Sequence, residues 1–227
     1  MDKQRIAIFD LDQTLTVKGT WGRFVSTSIH DRPFKWLAFV MASVFSQIKY
    51  MIGFGPRERV KETMMRWTLS GRSRRELELR AQNFAQNEVD NGLRARSLQM
   101  LKFHKEQGDR IVIASAAVDL VVAPIADRLG ITEIVCTKVT YDENEKLKPK
   151  LGSQNCYGRG KLEMVKAYLE KDIGYSRDQA HITMYSDSSS DLDILRWADV
   201  GIGVNPSPKL ANLATKYGFK IQDWDKG

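Results

Sequence analysis

Two hydrophobic periodicities divide the chain. Residues 5–10, RIAIFD, form a compact apolar run rich in Ile and Phe that predicts a short strand, followed by a turn region over residues 12–19. From residue 21 to about 96 the spacing becomes helical. The runs RFVSTSIH, KWLAFVMASVFSQIKYM, PRERVKETMMRWTL and SRRELELRAQNFAQNEV carry almost no strand signal, and Gly53, Gly55, Pro56 and Gly71 punctuate them. Strands and amphipathic helices then alternate: helix LRARSLQMLKFHKEQG, strand DRIVIAS, helix VDLVVAPIADRLG, strand EIVCTKV and a polar hairpin YDENEKLKPKLG. Helix GKLEMVKAYLEK, strand HITMYS, helix DLDILRWA, strand VGIGV and helix PKLANLATKYG complete the series. Such alternation predicts an α/β fold with a doubly wound, Rossmann-like parallel sheet, which places ligands at the carboxyl ends of its strands. The helical run reads as an insert, so residues 1–18 and 97–227 are expected to form the core and residues 19–96 a helical cap.

Composition narrows the function classes. The 227 residues are 42% hydrophobic and 28% charged, as expected of a folded soluble protein. Lys and Arg outnumber Asp and Glu by 35 to 28, a formal net charge of +7 that favours an anionic partner. A phosphorylated metabolite, a nucleic acid or an acidic lipid surface would each satisfy it. The expected strands lack the interleaving of aromatic and basic residues used to stack bases, so nucleic acid is not expected. Cys136 and Cys156 have neither zinc-ligand spacing nor the look of a disulfide framework, which fits a reducing cytoplasm. The start, MDKQRIAIFD, lacks the apolar segment of a signal peptide.

Residues 36–54, WLAFVMASVFSQIKYMIGF, are long enough to span a bilayer but are interrupted by Gln47 and Lys49. A central Lys costs about 2.5 to 3.5 kcal/mol on insertion, so a packed or interfacial helix is expected instead of a span. Arg32 and Lys35 on one side and Arg57, Arg59 and Lys61 on the other suit peripheral contact with an anionic membrane, each basic residue adding about 1 kcal/mol near the surface. Packing within the cap is the competing expectation.

Candidate chemistry falls at the expected strand ends. The first strand ends in Asp10, with Asp12 and Thr14 following; the second ends in Ser115; GRGK sets Lys161 at a helix start; HITMYSDSSSD supplies Asp187 and Asp191. Each has a plain local alternative. Asp10 can cap a turn beside a solvated Asp12, Ser115 can cap a strand end, Lys161 can be a solvated helix residue, and Asp187 and Asp191 can cap the helix that follows. Their convergence on one sheet edge favours a site.

In this order, DLDQT, an apolar run ending in Ser, an isolated Lys and SDSSSD resemble the four motifs of the haloacid dehalogenase superfamily, over residues 4–15 and 98–205. The insert resembles the cap of its phosphoserine phosphatase-like branch. More narrowly, LDQTLTVKGTWGRF and YSDSSSD are similar to the phosphatidylglycerophosphatase C group.

The resemblance implies a Mg2+-dependent phosphomonoesterase. Asp10 would be the nucleophile that forms an aspartyl-phosphate, and Asp12 would protonate the leaving oxygen and later activate water. Asp10, the backbone carbonyl of Asp12, Asp187 and Asp191 form the expected metal set, with Asp191 directed more to a metal water or to Lys161. Ser115, Ala116 and Lys161 would cradle the phosphoryl oxygens, and Thr14 would brace the loop. Gln13 and Ser186 stand where Gly is usual, and neither is expected to supply a needed side chain.

Relatives that hydrolyse phosphoserine place an acid shortly after the first motif. Residues 16–24, TVKGTWGRF, contain Lys18 and Arg23 but no acid, which disfavours phosphoserine. Arg23 is expected to meet a second phosphate and Trp21 and Phe24 to lie against an apolar leaving group, pointing to a lipid-linked phosphate such as phosphatidylglycerophosphate. The alternatives are a phosphatase of a small soluble sugar or glycerol phosphate, and a non-catalytic phosphate-binding regulator.

Overall fold

The structure, a computed structural model, describes residues 3–29, 40, 41, 44, 58–171 and 174–226. Eight strands are present among these residues: β1 (Gln4–Phe9), β2 (Arg110–Val118), β3 (Glu133–Thr137), β4 (Val139–Tyr141), β5 (Leu147–Leu151), β6 (Ala180–Ser186), β7 (Val200–Val204) and β8 (Lys220–Gln222). Six of them form a sheet of order β3-β2-β1-β6-β7-β8, parallel throughout. β4 and β5 pair as a separate antiparallel hairpin. Helices α1 (Thr20–Ser28), α2 (Glu58–Thr68) and α3 (Arg74–Asn91) lie between β1 and β2 in sequence. Helix α4 (Ser97–Glu106) also precedes β2, and helices α5 (Asp119–Arg128), α6 (Arg159–Leu169), α7 (Leu192–Trp197) and α8 (Pro208–Tyr217) connect the later strands.

The period-two geometry of the strands explains why β1 is apolar on both faces. Ala7 and Phe9 join one core cluster while Ile6 and Ile8 join the other, and β2 divides in the same way, Ile111 and Ile113 against Val112 and Ala114. The first cluster is closed by apolar residues of α1 to α5, among them Phe24, Met65, Leu77, Leu101 and Val121. The second is closed by Val165, Leu169, Ile194, Leu195 and Leu210 of α6 to α8. Phe9 stacks on Tyr185 at 4.6 Å, and Tyr185 meets Trp224 at 5.5 Å.

Register fixes where the site lies. β1 pairs with β2 as far as Phe9 and Ile113 and with β6 as far as Phe9 and Tyr185. Asp10, Ser115 and Asp187 therefore sit at one edge, within two residues of these final pairs.

Two expectations are revised and one strand is added. The strand expected over 133–139 breaks at Lys138, where the backbone N–H donates to the Ser153 hydroxyl at 2.9 Å and the chain turns into the hairpin. The helix expected from residue 93 starts at Ser97, because residues 92–94 bond to the loop after β1. β8 is a short strand whose alternation is too brief to read in sequence.

The stretch 36–54 lies outside the described residues except for Val40, which packs against the first cluster, and Met41 and Val44, which are exposed. Arg32, Lys35 and Arg57 also lie outside them. Among the described residues, no helix is long and apolar enough to cross a membrane.

Candidate active site

After Phe9 the chain leaves the sheet through Asp10 and enters a wide turn closed by the Thr16 N–H donating to the Leu11 carbonyl at 3.0 Å. Asp12 is extended (φ −67°, ψ 123°) and Gln13 is left-handed (φ 60°, ψ 4°). A left-handed conformation costs a residue with a Cβ about 1 to 2 kcal/mol, which gives the usual Gly at this place a physical reason. The Thr20 N–H and hydroxyl, at the start of α1, both donate to Asp12 Oδ1 at 2.7 Å. Helix α1 thus aims the second acid while the strand end fixes the first.

Lys161 enters from the first turn of α6. Gly158 precedes that helix with φ 58°, a left-handed value suited to glycine, and its carbonyl accepts from the Lys161 N–H at 3.0 Å. The ammonium is only 2% exposed and donates to Asp10 Oδ1 at 2.9 Å and to Asp191 Oδ2 at 2.7 Å. Burial alone would lower its pKa, but the two carboxylates outweigh that and raise it, so the ammonium stays charged. Burial pushes the Asp10 carboxyl well above the ordinary carboxylate range. Lys161 opposes that shift, and Asp191, Asp187 and Asp12 reinforce it.

Asp187 is joined to the first loop through Thr14. Its N–H donates to Thr14 Oγ1 at 3.0 Å, and the Thr14 hydroxyl lies 3.4 Å from Asp187 Oδ1. Burial, and then the neighbouring Asp191, raise the Asp187 carboxyl to about 6. Ser186, expected to contribute no side chain, in fact donates its hydroxyl to Asp191 Oδ2 at 2.7 Å and helps to orient it.

Magnesium takes hard oxygen donors and needs only one or two carboxylates, the rest being carbonyl, phosphate and water oxygens. Among the described residues, no group of three or more His, Cys, Asp or Glu side chains is placed to cage an ion. The donor chemistry still fits Mg2+. Asp10, Asp187 and Asp191 are all buried around the Lys161 ammonium, and Asp191 Oδ1 is buried with no hydrogen-bond partner.

Ser115 is fully buried, and its Oγ accepts from the Ala117 N–H at 3.1 Å, leaving the hydroxyl proton to be donated elsewhere. The Ala116 carbonyl accepts from Thr137 Oγ1 at 3.1 Å and from Lys61 Nζ, which also bonds Asn155 Oδ1. Lys61 is thus a correction: read as a membrane-facing flank, it is buried and reaches from α2 to the β2 backbone beside Ser115. No sequence signal distinguishes it from the other basic residues of its helix.

Contacts within the protein engage two further candidates. Arg23, expected to meet a second phosphate, pairs through Nη1 with Glu88 Oε2 at 2.6 Å, and its guanidinium lies over Phe84. Glu88 is fully buried on α3, 65 residues away, so the acid missing from residues 16–24 arrives from elsewhere in the chain. Trp21 is 7% exposed and Phe24 is completely buried, both in the first core cluster, because residues 21, 24, 25 and 28 form the inward stripe of α1. Both rings pack within the protein core.

The arrangement can be set beside known proteins. Protein CicA of Caulobacter vibrioides is 26% identical over 194 residues, covering 86% of this chain and 83% of that protein. Phosphoserine phosphatase SerB1 of Mycobacterium tuberculosis is 23% identical over 228 residues, covering 99% and 72%. A crystal structure of a protein of unknown function from Bordetella pertussis superposes with a TM-score of 0.86 at 24% identity, covering 98% of this chain and 99% of that one. Residues 7–196 match the haloacid dehalogenase-like hydrolase family from β1 through α7, and with that match the chain belongs to this family.

Proposed function

We propose that the protein is a Mg2+-dependent phosphomonoesterase working through an aspartyl-phosphate at Asp10, with residues 19–96 as its cap. The observation that carries this reading is the buried Lys161 ammonium between Asp10 and Asp191, beside a second acid, Asp12, aimed by Thr20. The phosphatase-named relative and the hydrolase family add support.

The chemistry follows from these positions. A carboxylate oxygen of Asp10 attacks phosphorus as the bond to the ester oxygen breaks, and the electron pair leaves with the alcohol oxygen. Two donors from Thr20 occupy Asp12 Oδ1, so Oδ2 carries the proton that the leaving oxygen takes. Asp12, now a carboxylate, removes a proton from water. The water oxygen attacks phosphorus, and the acyl-phosphate bond breaks with its electron pair returning to Asp10. Lys161 and the Ser115 hydroxyl hold phosphoryl oxygens in both steps. Mg2+, held by Asp10, Asp187 and the Asp12 carbonyl, would supply neutralisation of phosphoryl charge.

For the substrate, a lipid-linked phosphate such as phosphatidylglycerophosphate is the first class we propose. The net charge of +7 and the apolar, basic-flanked stretch 36–54 support it. A small soluble phosphate ester is the second reading, favoured by the neutralisation of Arg23 by Glu88 and by the burial of Trp21. The deciding experiment offers the purified protein a panel of lipid and soluble phosphate esters with Mg2+, with EDTA, and in the Asp10→Asn variant. Hydrolysis should require Mg2+ and vanish in the variant while its circular dichroism stays native. Substantial turnover by that variant would remove Asp10 as nucleophile.

A further inference from the structure

Beyond the phosphate-binding and acid residues, the loop carrying Asp12 is gripped from one side by a side chain that no motif contains. Arg94 lies between α3 and α4, is 8% exposed, and directs a guanidinium fork at the Gln13 carbonyl: Nη2 donates at 2.8 Å and Nε at 3.0 Å. The third arm, Nη1, pairs with Asp225, and the Arg94 backbone N–H donates to the Leu15 carbonyl at 2.9 Å. Neighbours extend the grip. Val17 N–H donates to the Gly92 carbonyl at 2.8 Å, and Ser97 Oγ donates to the Leu15 carbonyl at 2.7 Å.

The carbonyl that Arg94 holds belongs to Gln13, a side-chain-bearing residue in a left-handed conformation immediately after the acid. Such a residue persists only where its surroundings over-determine it, and such positions cluster where a loop must be aimed. A planar two-pronged donor fixes the orientation of a carbonyl in a way that a single ammonium does not.

We propose that Arg94 is a positioning residue for the general acid: by clamping the Gln13 carbonyl it holds the left-handed turn that keeps Asp12 in register with the leaving oxygen. The proposal rests on the phosphomonoesterase reading, and its test separates the two. Arg94→Gln removes the fork and Arg94→Lys keeps the charge without it. Adding Gln13→Gly removes the conformational penalty that the clamp offsets.

The readout is kcat/KM for p-nitrophenyl phosphate, whose leaving group departs without a proton, against phenyl phosphate, whose leaving group needs one. Positioned acid catalysis contributes about 10²- to 10⁴-fold, and a misaimed acid loses part of that. Arg94→Gln should lower kcat/KM for phenyl phosphate about tenfold more than for p-nitrophenyl phosphate, with Arg94→Lys between it and wild type. Gln13→Gly in the Arg94→Gln background should recover most of the difference. Equal losses on the two substrates, no loss on either, or no recovery with Gln13→Gly would each overturn the proposal. If Arg94→Gln fails to fold by circular dichroism, Arg94→Lys carries the same comparison, with and without Gln13→Gly. Failure of the wild type on both esters would count against the phosphatase reading instead.

Discussion

Lys161 keeps two carboxylates close that would otherwise repel one another inside the protein. Removing one partner of a buried ion pair leaves charge without compensation and costs about 3 to 5 kcal/mol. Lys161→Met should show a loss of that size in urea unfolding at pH 7.5 with EDTA present. Burial already favours a proton on Asp10 and the ammonium opposes it, so without Lys161 the folded state holds that proton more tightly than the unfolded chain does. The variant's stability is then kept at low pH and lost as pH rises, so its deficit against wild type should shrink at pH 5. A deficit independent of pH would mean that packing, and not charge, is what Lys161 provides. The convergence of Asp10, Asp12, Lys161 and Asp187 was legible because three of them follow the ends of strands that the apolar runs mark and the fourth opens a helix at the same sheet edge. Arg94 and Lys61 were not legible, because each bonds a backbone carbonyl, and a carbonyl leaves no trace in the residue letter.

Among the elements, α1 illustrates how far spacing can be read. Its periodicity marks residues 21, 24, 25 and 28 as one stripe, but periodicity cannot say whether that stripe faces core or ligand. The structure turns it inward, with Phe24 5.5 Å from Phe84 of α3 in an edge-to-face contact. Phe24→Ala should therefore cost about 3 to 5 kcal/mol of stability, with KM for a small phosphate ester little changed at a temperature where the variant is folded. A raised KM without destabilisation would restore the ring to the substrate side. The pairing of Arg23 with Glu88 carries the same lesson, since helices far apart in sequence cancel a charge that looks free on either one alone.

Across the whole molecule, the alternation of strands and helices made the parallel sheet and its two covered faces readable, because crossovers of that length permit little else. What covers the sheet's first face near Tyr185 was harder to foresee. Trp224 is fully buried there, and its indole N–H donates to Gln222 Oε1 at 2.7 Å. Trp224→Ala is expected to lower stability by about 3 to 5 kcal/mol in a denaturant titration, whereas a loss under 1 kcal/mol would mean that the ring adds little to the core.

The position of β1 has a consequence during biosynthesis. Gln4 pairs with Ala180 and Ile6 with Arg110, so a strand that leaves the ribosome early lacks one neighbour until β2 and the other until β6 has been made. At typical elongation rates the second wait lasts on the order of ten to thirty seconds. During that time Ile6, Ala7, Ile8 and Phe9 present an unpaired apolar edge, the kind of surface that nascent-chain chaperones bind and that aggregates when left uncovered. The same central placement that lets Asp10 meet Lys161 and Asp187 thus makes the enzyme's assembly depend on the pace of its own translation.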